Sequence, residues 1–369
     1  MWRRVLALVV KELFAALRDR KSRTVLILPP LVQLVVFGYA ATYDLDRVPT
    51  AIYDQDPSEA SRDLVARFLG SPTFHLAAML KSSERIDELI DSRKVALVLT
   101  IDRRFTRDLL TGRPAPVQAI VDGRNSNTAL LIEGYVGAIV ADFSLAWAAA
   151  HGGAPPPAAL DMRARFNPSL SSRWFFLPSI VALLTQIVTL LVVSLSVARE
   201  RESGTFDQLL VTPLRQIDIL IGKGLPGLLI GLCEGSVIVA AAVWWFEVPL
   251  RGGLIALYLG LMLFVVAVAG VGLMISSLAA TQQQALLGVF LFMVPSIILS
   301  GFATPIANMP AWEQQLTLIN PMRYFLVVVR TVFLEGADVA SLAQQYWPMA
   351  AIGAVALTAA GWLFRSRTT

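Results

Sequence analysis

The chain has 369 residues, of which 56% are hydrophobic and 16% are charged, and its formal net charge is +4. Soluble domains carry about a quarter charged residues, so this composition excludes an ordinary soluble protein and predicts a membrane protein. Because Cys233 is the single cysteine, an intrachain disulfide bond is excluded, and this cysteine lies in an apolar run.

Residues 1–23 predict a basic amphipathic helix that lies in the cytoplasmic interface of the membrane. Apolar residues recur at helical spacing, and basic residues crowd the opposite face at Arg3, Arg4, Lys11, Arg18 and Arg20. This arrangement is typical of helices that lie along a lipid surface. A cleaved signal peptide is the alternative, but Lys11 and Glu12 make its apolar stretch too short.

Residues 24–43 are uncharged and long enough to cross the membrane once, with a bend expected at Pro29 and Pro30. From residue 44 to residue 173 the composition changes, because basic and acidic residues become frequent and nearly equal in number. A segment of this size and composition can bury a core of its own, so the sequence predicts an inserted domain.

The inserted domain is predicted to have an α/β fold. Short apolar runs predict strands at 48–53, 74–80, 95–101 and 116–121. The intervening and following segments predict helices at 57–69, 83–91, 102–110 and 126–150. Strands that alternate with helices favour a partly parallel sheet.

A charged segment, residues 199–223, separates two long apolar runs and is predicted to be a loop on the membrane surface. Thr205 and Gln208 fit a capping box, in which each side chain bonds a backbone group of the other. Thr212 followed by Pro213 predicts a second helix start. These signals predict two short helices with a break at 211–213, while an ordinary interhelical loop stays the alternative on pattern alone.

Residues 174–369 contain the other predicted spans. They are expected at 174–198, 224–246, 254–278, 285–303 and 346–364. The polar string at 281–284 separates the fourth span from the fifth, and the prolines of residues 304–344 predict short helices at the outer surface. Six spans place both termini on one side. The excess of basic residues there predicts that this side is the cytoplasm, with the α/β domain outside.

Gly227, Gly231 and Gly235 form two successive G-x-x-x-G steps in the third span. Small residues at this spacing let two helices approach closely, although glycine is also simply common in membrane helices. Glu234 lies beside them, about 15 Å into the span, where a charge is costly. The sequence leaves two interpretations open, a hydrogen bond that holds two helices together or a carboxylate that faces a substrate path.

Other sites are not predicted. The chain has no G-x-x-x-x-G-K-[ST] string for ATP, and no nucleophile motif that would support an enzyme. His75 and His151 stand alone, which argues against a zinc site. The basic residues come in short runs, which favour contact with anionic lipid over nucleic acid.

The string RERESGT at 199–205, with QLLVTP at 208–213, resembles the cytoplasmic loop of ABC-2 type exporter permeases. Weaker similarities to this family are KEL at 11–13, RDR at 18–20 and FGYA at 37–40. Residues 48–67 resemble the start of the extracytoplasmic domain in its multidrug-type branch. The resemblance implies that this chain docks on an ATPase through Glu200, Glu202, Gly204, Thr205, Gln208, Leu209, Leu210, Thr212 and Pro213.

The resemblance also implies partners and a location. The chain would be the permease subunit of an exporter of drugs or other amphipathic compounds in the bacterial cytoplasmic (inner) membrane. A separate ABC ATPase would use ATP and Mg, while this chain binds no cofactor or metal. The sequence has no internal repeat, so a second copy or a paralogue would complete the path, and this branch often uses a periplasmic adaptor.

Two other classes compete with an exporter. A membrane sensor would bind a ligand through its outer α/β domain and would signal through the charged segment. A channel is less well supported, because the sequence shows no polar ring that could act as a filter.

Overall fold

The structure, a computed structural model, describes residues 2–18, 20–40, 45, 47–152, 165–167, 171–205 and 215–366. Its contacts divide the chain into two compact units. We call them the helical unit, Met1–Thr42 with Ala164–Thr369, and the sheet unit, Tyr43–Arg163.

The helices, in chain order, are α1 (Trp2–Arg18), α2 (Arg20–Ala40), α3 (Glu59–Gly70), α4 (Arg85–Asp91), α5 (Phe105–Leu110), α6 (Ser126–Ala150), α7 (Ser172–Glu202), α8 (Gln216–Trp244), α9 (Leu254–Leu278), α10 (Gln282–Ile298), α11 (Ala311–Leu316), α12 (Pro321–Leu334) and α13 (Ala343–Ser366). The strands are β1 (Val48–Asp54), β2 (Phe74–Met79), β3 (Leu97–Ile101) and β4 (Val117–Val121).

The sheet unit contains one four-stranded sheet in the order β2-β1-β3-β4. Strand β1 pairs in parallel with β2 and with β3, whereas β3 and β4 are antiparallel. Every strand lies close to its predicted position, so the predicted partly parallel sheet is confirmed. Because β1 and β3 are central, their side chains are buried on both faces, which explains their nearly continuous apolar runs.

Helices cover both faces of this sheet. On one face, Leu97 and Leu99 of β3 pack in a cluster with Phe68 of α3, Phe105 of α5 and Ile132 of α6. A second cluster, on Ala51 and Val98, includes the buried residues of α4. Helix α6 also has the length and apolar composition of a membrane span over Thr128–Ala150, and its packing on the sheet accounts for part of that composition.

Several helices of the described chain can cross a membrane. Five are long and apolar enough, or six if one bent pair counts as a span, namely α6, α7, α8, α9 and α13 with the pair Ala311–Ile319 and Pro321–Leu334. The chain is therefore a multi-pass helical membrane protein. Two predicted spans, 24–43 and 285–303, correspond to shorter apolar helices, Ile27–Tyr39 and Gln282–Ile298, so the predicted total of six stays a prediction.

Helix α7 is central to the helical unit. It contacts α2, α8, α9, α10 and α12, and most of its residues are buried. Its buried polar side chains include Gln186, which bonds Ser296 of α10. A helix that touches so many neighbours can pass a movement at one end to most of the unit.

Helix α12 corrects one expectation from the sequence. The prolines of residues 304–344 predict only short helices at the outer surface. The structure does have the short helix α11 there, but α12 is longer, and Phe325, Val329 and Phe333 are completely buried in the largest apolar cluster. The two segments meet at an angle of 84°, and Asn320 caps the start of α12 through a bond from the Met322 N–H.

Candidate functional site

The charged segment is mostly helical at its two ends. Glu200 and Glu202 belong to the last turn of α7, and α8 already begins at Gln216. The helices of the flanking spans therefore continue into the charged segment from both sides. The middle of the segment, residues 206–214, lies outside the described residues. The capping partner Gln208, the break at 211–213 and the predicted docking residues Leu209, Leu210, Thr212 and Pro213 all lie there.

Gly204 ends helix α7. Its φ of +69° is left-handed, and its N–H donates to the Arg201 carbonyl at 3.1 Å. The N–H of Thr205 donates to the Glu200 carbonyl at 3.0 Å. These two bonds make a Schellman motif, in which a left-handed glycine lets the chain turn back onto the last carbonyls of a helix. Thr205 thus closes α7, and its predicted role as the cap of a following helix stays untested.

The other end of the segment is closed by Asp218. The Arg215 N–H donates to Asp218 Oδ2 at 3.2 Å, and Asp218 lies in the first turn of α8. A carboxylate at this position binds free N–H groups and opposes the positive end of the helix dipole. Both ends of the charged segment therefore emerge from well-terminated helices.

A buried network of two lysines and two glutamates joins these helix ends to α1. Lys223 of α8 is completely buried, and its Nζ lies 2.7 Å from Glu12 Oε1 of α1 and 2.7 Å from Glu200 Oε2 of α7. It also donates to the Ser196 carbonyl at 3.2 Å. Lys11 of α1 donates to Glu200 Oε1 at 2.8 Å. We call these four charged side chains the ion network.

Lys11 forms the exposed rim of the ion network. Its side chain is 57% exposed, against 0% for Lys223. Partial burial alone would lower the pKa of the Lys11 ammonium, but the hydrogen bond and charge of Glu200 outweigh it, so the pKa is raised. Lys11 is therefore charged at any physiological pH.

Helix α1 is also held by apolar packing. Its residues Val5, Leu8 and Val9 are buried, and Leu8 lies so close to Gly222 of α8 that a Cβ there would not fit. One face of the amphipathic helix α1 thus packs against other parts of the protein. Sequence reasoning missed Lys223 and Glu12 as site residues. The sequence could have indicated Lys223, because it lies four residues after the apolar Ile219 and therefore on the same side of α8, where Ile219 is buried.

The glycines of α8 face α7 and α9. A Cβ on Gly227 would overlap Val193, and one on Gly231 would overlap Thr189 Oγ1. At Gly235 a Cβ would lie 3.1 Å from Leu261 Cδ1 and 3.1 Å from Thr185 Oγ1. The glycines therefore permit the close approach of these helices.

Glu234 lies on α8 between two of these glycines. Both of its carboxylate oxygens are buried, and neither has a hydrogen-bond partner among the described residues. A residue that holds two helices together by a hydrogen bond would show such a partner. The distance along α8 from Lys223 is about 16 Å at 1.5 Å per residue, so that lysine is too far away to pair with it.

Comparisons with known proteins agree with the resemblance of the charged segment. A family model described as ABC-2 family transporter protein matches residues 21–362. The chain is 40% identical over 369 residues to the probable multidrug ABC transporter permease YbhR of Escherichia coli strain K12, with all of both chains covered. It is 33% identical over 342 residues to YbhS of that strain, also named a probable multidrug ABC transporter permease, which covers 91% of this chain and 89% of YbhS.

A third relative extends the comparison. The inner membrane transport permease YhhJ of the same strain is 29% identical over 371 residues, which covers 100% of this chain and 98% of YhhJ. The predicted resemblance is thereby confirmed, and the chain belongs to the ABC-2 family of transporter proteins.

Proposed function

We propose that this chain is the permease subunit of an ATP-driven exporter and that a separate ABC ATPase docks on the charged segment. The family and the names of the relatives support a transport subunit without a catalytic site of its own. The observation that carries the docking proposal is the ion network. It joins the two helices that enter and leave the charged segment and ties both of them to α1.

The proposed mechanism follows from how rigidly the charged segment is attached. Closure of two ATPases, which use ATP and Mg, pushes on the segment. The Schellman motif and the ion network prevent the ends of α7 and α8 from yielding separately, so they move together with α1. Since α7 contacts five other helices, this movement changes the packing of the helical unit and lets substrate leave outward.

The arrangement in the membrane is part of the proposal. Both termini and the charged segment lie in the cytoplasm, and the α/β sheet unit lies outside a bacterial inner membrane between the first and second of six spans. Charge asymmetry supports this orientation. A cysteine introduced at Ser58 in a Cys233→Ser background should react with an impermeant thiol reagent outside intact spheroplasts, whereas one at Gln216 should not. The reverse pattern would overturn the orientation.

The partners and substrates follow from the family. A second copy of the chain or a paralogue completes the path, a periplasmic adaptor receives the substrate, and anionic lipid rather than nucleic acid contacts the basic residues of α1. The names of YbhR and YbhS support drugs or other amphipathic compounds as substrates. The competing sensor differs in its partner. If a kinase or a regulator co-purifies in mild detergent and no ATPase does, the exporter proposal is wrong.

The coupling role is tested by Gly204→Pro. Proline requires a φ near −65° and has no N–H, so it cannot take the +69° conformation or donate to Arg201. The variant should insert normally and lose most substrate-stimulated ATP hydrolysis of the complex. Gly253→Pro is the matched control, because Gly253 has a φ of −73° and precedes α9. Normal stimulation in Gly204→Pro at normal abundance would show that the segment is only a tether.

A further inference from the structure

Three polar side chains of α7 and α8 have no hydrogen-bond partner among the described residues. Besides the Glu234 carboxylate, the hydroxyls of Thr185 and Thr189 on α7 are fully buried and have no hydrogen-bond partner among the described residues. Buried polar atoms in proteins are nearly always hydrogen-bonded, so orphaned ones require an explanation. Three such residues at one level of two neighbouring helices point to a shared ligand.

The glycines of α8 define this level. Thr189 Oγ1 faces Gly231, and Thr185 Oγ1 faces Gly235. Glu234 lies within one helical turn of both glycines. The two hydroxyls are therefore directed across the interface at the glycine-rich stretch of α8 that also carries Glu234.

This direction differs from what helical threonines usually do. Thr331 and Thr358 donate to carbonyls of the preceding turn in their own helices, at 2.8 and 2.9 Å. Such internal bonds satisfy a hydroxyl without any outside partner. Thr185 and Thr189 lack them, so their hydroxyls stay available to a group that enters between α7 and α8.

The two helices that face the glycines of α8 supply no positive charge to this level. The sequence of α7 has no lysine or arginine between Arg173 and Arg199, and α9 has none at all. Lys223 is already paired with Glu12 and Glu200. Carboxylate and hydroxyl oxygens are acceptors, and an unpaired carboxylate in an apolar bundle is costly. A positive charge from outside the chain would satisfy all three side chains.

We propose that Glu234, Thr185 and Thr189 form a binding site for the cationic group of an amphipathic compound, a protonated or quaternary amine. The charged group binds the oxygens when α7 and α8 separate, and the apolar side chains of both helices bind the hydrophobic body. This inference rests on the proposed export function and names its class of substrate. It also assigns the carboxylate to the substrate path, one of the two interpretations that the sequence leaves open.

Binding of tetraphenylphosphonium tests the site without ATP. The full-length chain, with the partners that co-purify, is placed in nanodiscs of neutral lipid, and dissociation constants are measured by equilibrium dialysis. Glu234→Gln keeps the size and removes the charge, and it should weaken binding at least tenfold. Glu247→Gln is the matched control, since Glu247 is exposed after the end of α8, and it should bind like the unchanged chain. The uncharged analogue triphenylphosphine oxide should bind equally to both variants.

The double variant Thr185→Val, Thr189→Val provides a second test, because valine keeps the shape of threonine and removes only the hydroxyl. It should weaken binding several-fold, and it decides the question if Glu234→Gln does not assemble. Binding within twofold of the unchanged chain, in whichever variant assembles, would overturn the site. Displacement of the probe by NaCl but not by choline chloride would assign the site to a metal ion and overturn the organic cation. Because no ATP is present, an uncoupled or absent ATPase does not affect the result.

Discussion

Lys223 and Glu234 of helix α8 both have buried charged atoms, but in opposite circumstances. Near the start of α8, Lys223 has two carboxylates at 2.7 Å, contributed by α1 and α7. About 16 Å further along the same helix, Glu234 has no partner among the described residues. Both side chains lie on a helix that packs closely on α7, so burial alone does not separate them.

The difference indicates separate roles. A buried charge with well-placed partners fixes the geometry of the groups around it, and removing one member leaves the others unpaired. A buried charge without partners among the described residues is costly to the bundle, and such a charge in a membrane protein is typical of a functional site. This difference supports the two proposals, coupling at the start of α8 and substrate binding at its middle.

The largest expected effect comes from a substitution in the ion network at the start of α8. Lys223→Met removes the buried cation that lies 2.7 Å from both glutamates of the ion network and leaves them with only the exposed Lys11. We expect the free energy of unfolding of the helical unit to fall by about 3–5 kcal/mol. Denaturant unfolding in a mild detergent, followed by a far-UV signal, measures the loss.

Lys11→Met is the matched control for this prediction. It makes the same substitution in the same network, but the Lys11 side chain is 57% exposed. The cost should be about 1 kcal/mol or less, as for exposed ion pairs. Equal losses in the two variants would mean that burial of Lys223 has no energetic role.

A second, smaller effect tests whether the loss in Lys223→Met comes from the glutamate charges that it leaves behind. When Lys223→Met is combined with Glu12→Gln and Glu200→Gln, the uncompensated carboxylates are gone and only the exposed Lys11 stays charged. Replacing a buried ion network by neutral groups of similar size is often close to neutral in stability. The triple variant should therefore recover more than half of the stability that Lys223→Met loses. A triple variant less stable than Lys223→Met would show that the network contributes more than mutual charge compensation.

The smallest expected effect concerns an exposed pair in the sheet unit. Arg124 bonds the Asp122 carboxylate and lowers its pKa to about 2. A carboxylate whose pKa is lowered on folding contributes stability above its unfolded pKa of about 3.9, and the contribution disappears as the pH falls through 2. Hydrogen exchange around β4 should therefore increase from pH 4 to pH 2, after correction for intrinsic rates. Asp122→Asn should remove this dependence, and an unchanged profile would contradict it.

The sequence predicts the sheet unit well, because strands of a buried sheet are short apolar runs with turn residues between them. Such local patterns need no knowledge of distant contacts. The resemblance to the family is also visible in the sequence, because one contiguous string of residues carries it. The ends of the charged segment were harder to predict, because nothing before Gly204 stops α7 and the boundary depends on a left-handed glycine.

The ion network and the burial of α12 depend on contacts far apart in the sequence. The sequence predicts that Lys223 lies in a cytoplasmic loop. Its burial becomes visible only in the structure, where α1, α7 and α8 pack together. Arg330 makes α12 look like a surface helix. In the structure its guanidinium donates to Ser179 at 2.8 Å and lies 3.9 Å from the centre of the Phe175 ring, so a charged residue joins an apolar core.

The central claim is that a partner ATPase binds the charged segment where the ion network holds its ends. A photo-crosslinking amino acid in place of Ser203, the exposed residue after α7, tests this most directly in intact cells. The same amino acid in place of the exposed Trp312 of α11 is the control. We predict that mass spectrometry identifies an ABC ATPase in the crosslinked product from position 203 and not from position 312. An ATPase crosslinked from position 312 and absent from position 203 would contradict the account.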